Sequence, residues 1–400
     1  MSQLDRRGAL RLFASLGAAG VAAPLLSACD DSGSGGSNAS KGSVKIGLLL
    51  PQSGANKPLG DDMLQGFELY RSLSGGRLGG YDVQTVIADE GDNADAAKAA
   101  TEKLLTQDKV TAVVGVASSA TMLAVKDTIE AAHVPLIGTN ASPTSLLSTL
   151  YIWRTSYVDK DPGAALGEYV ASQLPAGRTA YVIAPEGIGR DAVQGFLETF
   201  GLRGGKTEAN PTYVAANRTD FTQLLNPLKG SSVDAVVSFF GGAGALAFVK
   251  QYNDLGMKST AQLYAPGFLT EGAAMLKALG GGARGIYTAM NYSADLDNSA
   301  NRRFASEYAR LHQNSPTTYA MASYDAAAVL DKALSLVDSQ LSGETLNAAI
   351  GRVGQISSPR GDWQFNQTRS PLQKWYLRQV RVDGNDVLAN TVISELATLG

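Results

Sequence analysis

Two stretches of the chain end an apolar run in small and hydroxyl-bearing residues. The first is VVGVASSATMLAV, residues 113–125, and the second is PLIGTNASPTSLL, residues 135–147. In each, a Ser or Thr stands where the N-cap of a helix is expected, and Pro143 suits a first helical turn. Two adjacent helix N-termini would direct free N–H groups and partial positive charge at a carboxylate, without an arginine. Helix capping alone also explains these residues, so it is their repetition that favours a binding site.

Other residues that could do chemistry do not form a catalytic or metal-binding pattern. Neither His133 nor His312 has a second Cys or His three or four positions away, which disfavours a metal site. The sequence has no G-x-S-x-G nucleophile elbow. The segment GAGALA, residues 242–247, matches a dinucleotide fingerprint, but no acidic residue ends the next strand to bind a ribose. We therefore expect no enzymatic activity and no cofactor, and we interpret these glycines as room for a small ligand.

The only cysteine, Cys29, follows an apolar segment near the N-terminus. Arg6 and Arg7 precede an uncharged run from Leu12 to Leu26, which is the layout of a secretory signal. The run is shorter than the roughly 20 residues that a helix needs to cross a bilayer. We therefore predict a signal peptide, residues 1–28, rather than a membrane span. The basic pair fits both a twin-arginine and a general secretory signal, and the sequence leaves that choice open.

The segment LSAC, residues 26–29, resembles the lipobox of bacterial lipoproteins, in which the cysteine is acylated and becomes the first residue of the mature protein. A buried core thiol is the usual alternative for a free cysteine, but the Asp/Ser/Gly tract that follows could not build a core. The resemblance implies a lipid anchor on Cys29, with residues 29–43 as a flexible tether. We expect an exported protein, anchored to the outer face of the cell membrane or in the periplasm.

Composition excludes several classes of protein. The chain has 34 Lys and Arg against 37 Asp and Glu, a net charge of −3, and no basic tract, so it lacks the electrostatic footprint of a nucleic-acid-binding protein. A single cysteine excludes an internal disulfide, and stability must come from core burial. With 44% hydrophobic residues over 400 positions, the chain is expected to fold into two globular domains.

From Val44 onward, strand-like and helix-like segments alternate, which predicts an α/β fold. Strands are predicted at residues 44–50, 82–88, 111–116 and 134–137, and helices at 59–74, 94–107 and 119–132. After Tyr151 the pattern restarts, with strands at 179–184, 210–214, 234–240 and 262–265, and helices at 190–201, 221–229, 243–255 and 272–279. This order predicts two doubly wound parallel-sheet lobes. Ligands in such sheets bind beyond the carboxyl ends of the strands.

Four stretches together resemble a known family: KIGLLLPQSGANKPLGDDMLQGFELY, AVVGVASSATMLAV, PLIGTNASPTSL and YAMASYDAAAVL. They are similar to the leucine/isoleucine/valine-type solute-binding proteins of ABC transporters, which have the type I periplasmic-binding fold. The resemblance implies two lobes joined by three hinge crossings, near residues 154–157, 289–292 and 357–362. The first lobe would comprise residues 44–153 and 290–357, and the second would comprise residues 154–289 and 358–400.

Carried over by position, the resemblance implies a ligand-binding cleft between the lobes. On the first lobe the cleft residues would be Leu59, Ala117, Ser118, Ser119, Asn140, Ala141, Ser142 and Tyr319. On the second lobe they would be Glu186, Ile188, Gly242, Gly267 and Phe268.

The second lobe departs from the family's amino-acid binders. Ile188 stands where those proteins have an aromatic residue, and Gly267 stands where an acid would pair with the ligand's ammonium. A buried ammonium without a partner is costly. Either Glu186 or Glu271 therefore replaces the missing charge, or the ligand is an acid without an α-amine.

These observations predict a monomeric, extracytoplasmic solute receptor of an ABC importer. It would capture an amino acid or an amine-free organic acid and present the closed form to the permease in the membrane. The alternative is a ligand sensor or a regulator of a cell-envelope enzyme, because the fold by itself does not decide between these functions.

Replacing Cys29 by Ser tests the lipid anchor. We expect Cys29→Ser to move the protein out of the membrane fraction, because the sulfur atom that would carry the lipid is removed. Immunoblots of fractionated cells measure the distribution, and Ser27→Ala, which keeps the cysteine, is the control. A Cys29→Ser protein that stays in the membrane fraction would contradict the anchor.

Overall fold

The computed structural model describes residues 40–187, 189–384 and 386–400 of the chain. The predicted signal peptide, Cys29 and most of the predicted tether lie outside these residues. Within the described ranges, no helix combines the length and the apolar character that a membrane span requires. Apart from Ile188 and Asn385, the structure describes the whole region for which the sequence predicts two lobes.

The first sheet is formed by strands from the N-terminal part of the described chain. The strands in this part are β1 (Ser43–Leu50), β2 (Arg77–Leu78), β3 (Tyr81–Asp89), β4 (Ala112–Gly115), β5 (Leu136–Gly138), β6 (Ala141–Ser142), β7 (Ile152–Arg154) and β8 (Tyr157–Val158). The sheet order is β2-β3-β1-β4-β5-β7, with every neighbouring pair parallel except β2 and β3. The short strands β6 and β8 pair with each other. Strand β4 is buried along its whole length, as expected for a parallel strand covered on both faces.

The second sheet follows the same scheme and adds antiparallel strands at one side. Its strands are β9 (Thr179–Pro185), β10 (Thr212–Val214), β11 (Val233–Ser238), β12 (Gln262–Pro266), β13 (Tyr287–Met290), β14 (Gln364–Phe365), β15 (Pro371–Val382) and β16 (Leu388–Leu399). The order is β10-β9-β11-β12-β13-β15-β14, and β16 pairs with β15. Strands β9 to β13 are parallel, whereas β15 runs antiparallel to β13.

Helices cover both faces of each sheet. They are α1 (Lys57–Leu73), α2 (Ala94–Thr106), α3 (Ser119–Ala132), α4 (Asp161–Gln173), α5 (Gly189–Leu202), α6 (Thr222–Leu225), α7 (Gly242–Asp254), α8 (Ala273–Leu279), α9 (Ser299–His312), α10 (Thr318–Ser335) and α11 (Gly343–Ile350). Short 3-10 turns span Thr144–Leu146, Asn226–Leu228, Met257–Ser259, Gly267–Leu269 and Gly280–Ala283. The predicted α/β class with two lobes is therefore confirmed.

Helix α10 returns from the later part of the chain to pack on the first sheet. Its buried residues Val329 and Leu330 share a core with Leu48 of β1 and Phe67 of α1. The helices approach so closely that a Cβ at Gly66 would lie 1.9 Å from the carbonyl oxygen of Ala320. Only glycine fits at that position of α1, and burial of this face holds α10 on the first lobe.

Two local predictions are wrong. Residues 221–229 do not form one helix: α6 ends at Leu225 and a 3-10 turn follows, because Pro227 has no N–H to continue the helical hydrogen bonds. No helix of full length follows Pro143, whose ψ of 143° is extended. The residues before it form β6, and only the 3-10 turn Thr144–Leu146 comes after. The pair of adjacent helix N-termini that the sequence predicts is therefore reduced to one, that of α3.

The chain passes between the two sheets three times, and the third passage lies between α11 and β15. The crossing is predicted at residues 357–362, yet Trp363 is 3% exposed and packs in the core of the first sheet, with Phe365 against it. Residues Gln364–Phe365 form β14, which pairs with β15 of the second sheet. Trp363 and Phe365 thus pack on the first core, whereas the backbone of β14 joins the second sheet, and the predicted boundary between the lobes stays a prediction.

All three passages meet at one backbone carbonyl. The oxygen of Ser156, in the first passage, accepts hydrogen bonds from Asn291 Nδ2 at 3.3 Å, Arg360 Nη1 at 3.2 Å and Gln373 Nε2 at 2.7 Å. Asn291 follows β13 in the second passage, and Arg360 and Gln373 flank the third. Every one of these residues is buried, so the contacts act in a low dielectric and lock the passages together.

A buried ion pair supports this junction. Arg360 Nη2 lies 2.9 Å from Asp325 Oδ2 on α10, and both side chains are at most 1% exposed. The same carboxylate oxygen accepts from Ser358 Oγ at 2.8 Å and from Trp363 Nε1 at 2.9 Å. The pair therefore ties the third passage to the first core.

Replacing Asp325 by Asn tests the contribution of this ion pair. We expect the variant to lose about 3–5 kcal/mol of unfolding free energy, because it leaves the buried Arg360 without an anion. Urea denaturation measures the loss. The control is Asp61→Asn, which breaks an exposed pair with Lys57 and should cost about 1 kcal/mol or less. Equal costs for both variants would contradict the role given to the buried pair.

Candidate functional site

The loop after β4 makes a sharp turn into α3. Val116 has a φ of 66°, an unusual value for a β-branched residue, and its amide donates to Leu49 O at 2.8 Å. Strain of this kind persists only where the surrounding structure enforces it, and it concentrates at functional sites. The turn places Ala117, Ser118 and Ser119 at the carboxyl end of the sheet, where open parallel sheets bind ligands.

Ser118 is the N-cap of α3, as the sequence predicts. Its side-chain oxygen accepts from the amide of Thr121 at 3.4 Å, and its backbone is extended. The first amides of a helix have no acceptor within the helix. The Ser119 and Ala120 amides, together with the Ser118 hydroxyl proton, can therefore donate to an anion, and the helix dipole adds partial positive charge.

The amide of Ala117 already has an anionic partner. Glu90, directly after β3, accepts from Ala117 N at 2.8 Å through Oε2 and is 1% exposed. Burial raises the pKa of Glu90 to about 7, although the hydrogen bond from Ala117 opposes the shift. Ala117 therefore does not offer its amide to a ligand carboxylate. Glu90 is not among the residues predicted from the sequence, although its position at the carboxyl end of a parallel strand was an available signal.

A second buried acid lies next to the same helix. Ser119 Oγ donates to Asp159 Oδ2 at 2.9 Å, and the backbone amide of Asp159 donates to Ser142 O at 2.8 Å. Burial raises the pKa of Asp159 to about 7, with the Ser119 hydrogen bond and the charge of Arg154 opposing the shift. Asp159 follows β8 and so joins both predicted ligand loops, a role that its sequence context did not indicate.

The second predicted loop is bonded to the first and to the start of the first passage. Asn140 Nδ2 donates to Ala117 O at 2.6 Å, and Ser156 Oγ donates to Asn140 O. Ser142 is fully buried, and its hydroxyl accepts from Arg154 Nε at 2.7 Å. Ala141 pairs through its backbone with Tyr157. The hydroxyl of Ser142 thus binds the Arg154 guanidinium. This contact gives Ser142, a predicted ligand-binding residue, a structural role.

The other two first-lobe residues, Leu59 and Tyr319, lie on helices that pack on the first core. Both side chains are half-buried against that core, Leu59 in the first turn of α1 and Tyr319 in the first turn of α10. Burial raises the pKa of Tyr319 above its ordinary range, and the negative charges of Glu271 and Asp62 add to the shift. The phenol of Tyr319 therefore stays protonated and can donate a hydrogen bond.

The predicted second-lobe residues are less closely connected. Glu186 and Gly242 are exposed, Phe268 is half-buried, and Ile188 lies outside the described residues. In the part of the chain that the structure describes, no hydrogen bond links these side chains to the first-lobe loops. Gly267 is buried against Arg378, and a Cβ there would lie 2.6 Å from Arg378 Nη2. Close packing thus explains the glycine at this position.

Glu271 is bound by two donors. Its Oε2 lies 2.8 Å from Arg378 Nη2, and its Oε1 accepts from Thr318 N at 2.8 Å at the start of α10. Both side chains of the ion pair are at most 4% exposed. The charge of this carboxylate is therefore balanced by Arg378 within the protein. The two contacts of Glu271 connect the second sheet to α10.

Replacing Glu90 by Gln tests the buried acid through the pH dependence of stability. The folded-state pKa of about 7 lies above the ordinary value of 4.5 for a glutamate, so the native state binds more protons than the unfolded state between these values. Stability then falls as pH rises through this window. Glu90→Gln cannot ionise but can still accept from Ala117.

We expect Glu90→Gln to be more stable than the parent protein at pH 8, by about 1–3 kcal/mol, and to match it at pH 4.5. Urea denaturation across this range measures both curves. Glu102→Gln on the exposed face of α2 is the control and should keep the parent profile. Parallel curves for Glu90→Gln and the parent would show that Glu90 does not titrate in this window.

Comparisons with known proteins agree with this architecture. The chain is 29% identical over 347 residues to a Leu/Ile/Val-binding protein homolog of Brucella melitensis, covering 84% of this chain and 87% of the relative. A solute-binding protein of an ABC transporter from R. palustris, solved with benzoate, is 28% identical with a TM-score of 0.78. The match covers 89% of this chain and 97% of that one.

A second solved structure, the solute-binding protein of an ABC transporter from Rhodopseudomonas palustris BisB5 in complex with 3,4-dihydroxybenzoic acid, is 25% identical with a TM-score of 0.81. The match covers 90% of this chain and 98% of that one. The family model described as periplasmic binding protein matches residues 43–385, which is most of the chain and includes both sheets. The chain therefore belongs to the periplasmic binding protein family.

Proposed function

We propose that this protein is the solute-binding receptor of an ABC importer and that it captures a small carboxylate-bearing ligand between its two lobes. The observation that carries the ligand class is the N-terminus of α3. There the Ser118 hydroxyl and the amides of Ser119 and Ala120 converge at the carboxyl end of β4. Donors fixed in this way bind an anion without reorganisation of the protein.

The names of the similar proteins support the same chemistry. Benzoate and 3,4-dihydroxybenzoic acid, which the two R. palustris proteins hold, each carry one carboxylate. So do leucine, isoleucine and valine, which give the Brucella relative its name. The shared group is the carboxylate, whereas the ligand side chains differ. A site on α3 that reads the carboxylate is consistent with both groups of ligands.

The arrangement of the hinge supports a role in transport. The three passages are bonded to one another at the Ser156 carbonyl, and the lobes would rotate about this fixed junction while their sheets stay intact. A ligand bound to α3 in the open form would gain contacts from the second lobe on closure, with Phe268 and Gly242 as the proposed contributors. The closed form would be recognised by the permease, and the predicted anchor at Cys29 would keep the receptor at the membrane.

Thermal shifts against a panel of small molecules test this function. The panel contains benzoate, 3,4-dihydroxybenzoate, leucine, isoleucine and valine, with benzamide and leucinol as matched compounds without a carboxylate. A carboxylate ligand at a thousand times its Kd should add about 4 kcal/mol of stability. Benzamide and leucinol should add none. A silent panel would favour the sensor or regulator over the transport receptor.

Replacing Ser118 by Gly tests the position of the carboxylate. We expect Ser118→Gly to weaken binding of the responsive acid by about 1–2 kcal/mol, the scale of a lost hydrogen bond to a charged group. Glycine is chosen because it costs only a few tenths of a kcal/mol at an N-cap. Isothermal titration measures affinity, and Ser172→Ala on the exposed face of α4 is the control. If Ser118→Gly binds the acid with the parent's affinity, the proposed position of the carboxylate at α3 is contradicted.

A further inference from the structure

One carboxylate oxygen at the candidate site has no hydrogen-bond partner. Asp159 uses Oδ2 to accept from Ser119 Oγ at 2.9 Å, but its Oδ1 is buried and unpartnered among the described residues. The residue is 6% exposed. Buried polar atoms are nearly always hydrogen-bonded, so an unpartnered buried acceptor beside the proposed ligand site indicates a missing donor.

The surroundings of Asp159 place this oxygen within the proposed ligand site. Its backbone amide is bonded to Ser142 O at 2.8 Å, and its side chain is bonded to the first residue of α3. The carboxylate therefore lies between the two first-lobe loops. Ser119 contributes to both parts of the site, because its amide opens towards the proposed ligand carboxylate while its hydroxyl contacts Asp159.

We propose that Asp159 binds a hydrogen-bond donor that the ligand carries next to its own carboxylate, an ammonium or a hydroxyl group on the α-carbon. This inference rests on the proposed function, since it takes the ligand carboxylate to lie at the N-terminus of α3. The ligand carboxylate would contact the amide of Ser119, and the ligand donor would contact Asp159, which is bonded to the Ser119 hydroxyl. These two ligand groups must therefore lie within a few bonds of each other. An α-amino or α-hydroxy acid meets that requirement.

The other acids near the site do not fill this role. Glu271 is paired with Arg378, Glu90 accepts from Ala117, and Asp191 accepts from Thr144 N at 2.9 Å. Glu186, which the sequence suggested as a replacement countercharge, is exposed. Asp159, in the first passage between the lobes, would thus supply the acid that the second lobe lacks at Gly267.

Burial and the charged groups around Asp159 set its pKa, and a charged ligand group placed beside it would change this pKa. Burial raises its pKa most, and the hydrogen bond from Ser119 lowers it. The charges of Asp191 and Asp161 raise the pKa, and that of Arg154 lowers it. Arg154 directs its own hydrogen bonds to Ser142 Oγ, Leu146 O and Thr368 O, so it does not occupy the free oxygen. An ammonium placed against Oδ1 would favour the ionised carboxylate and release a proton at neutral pH.

Matched ligands test the inference without changing the protein. The probes are leucine, 2-hydroxy-4-methylpentanoate and 4-methylpentanoate, then phenylalanine, 3-phenyllactate and 3-phenylpropionate. Isothermal titration of the purified full-length protein measures each Kd. In at least one series, we expect the acids with an α-donor to bind about 10- to 100-fold more tightly than the acid without one. Titration in buffers of different ionisation enthalpy should show proton release with the ammonium compound.

Replacing Asp159 by Asn then assigns the effect to this residue. Asp159→Asn keeps the shape and one acceptor but removes the charge, so the advantage of the ammonium should fall about 10-fold or more and that of the hydroxyl should fall less. The acid without a donor should bind at least as tightly as it binds the parent protein, because no negative charge of Asp159 then opposes its carboxylate. Thermal unfolding verifies folding. Asp161→Asn, whose parent carboxylate accepts from Val158 N, is the matched control and should keep the ligand order.

The outcomes separate this inference from the proposed function. If the donor-free acid binds as tightly as its partners, or Asp159→Asn keeps the full preference, the inference is overturned and the carboxylate receptor stands. A preference for 4-hydroxybenzoate over benzoate that Asp159→Asn abolishes would also overturn it, because that donor is remote from the carboxylate. If no acid binds at all, the proposed ligand class falls and the inference falls with it.

Discussion

The architecture depends on the demand that buried polar groups be satisfied where the chain crosses between the lobes. Three passages leave polar side chains and backbone in a region without access to water, and the carbonyl of Ser156 collects donors from Asn291, Arg360 and Gln373. The ion pair of Arg360 with Asp325 anchors this junction to α10. Because an unpaired member of such a network is costly, the network allows few alternatives to the observed connection of the lobes.

The same physics shapes the candidate site. The N-terminus of α3 carries positive partial charge, and the buried side chains of Glu90 and Asp159 lie beside it. Burial raises the pKa of each carboxyl to about 7, so both sit close to the point where small changes decide their ionisation. A ligand carboxylate disfavours ionisation of these acids, whereas a ligand ammonium favours it. Charge balance within the proposed site would thus link the ligand's chemistry to the protonation of two acids.

Local pattern predicted the elements well where packing agreed with it. Helix α3 has the predicted bounds, Ser118 is its N-cap, and the central strands lie within one or two residues of their predicted positions. The prediction failed after Pro143, where the sequence also suits a helix N-terminus. There, Ala141 and Ser142 pair with Tyr157 and Val158, a tertiary contact that makes a strand of these residues. The strand thus forms because its partner, β8, lies beside it in the fold, and local sequence does not encode that pairing.

The sequence by itself determined the alternation of strands and helices, the two sheets, and the presence of hydroxyl residues at the ends of central strands, because these follow from local periodicity and capping. The tertiary structure alone decided how the polar groups are shared. In the fold, the Ala117 amide donates to Glu90, the Ser142 hydroxyl accepts from Arg154, and Glu271 forms an ion pair with Arg378. Hydrogen bonds across the fold depend on which strand ends become neighbours and on how deeply each group is buried, and neither is encoded in local spacing.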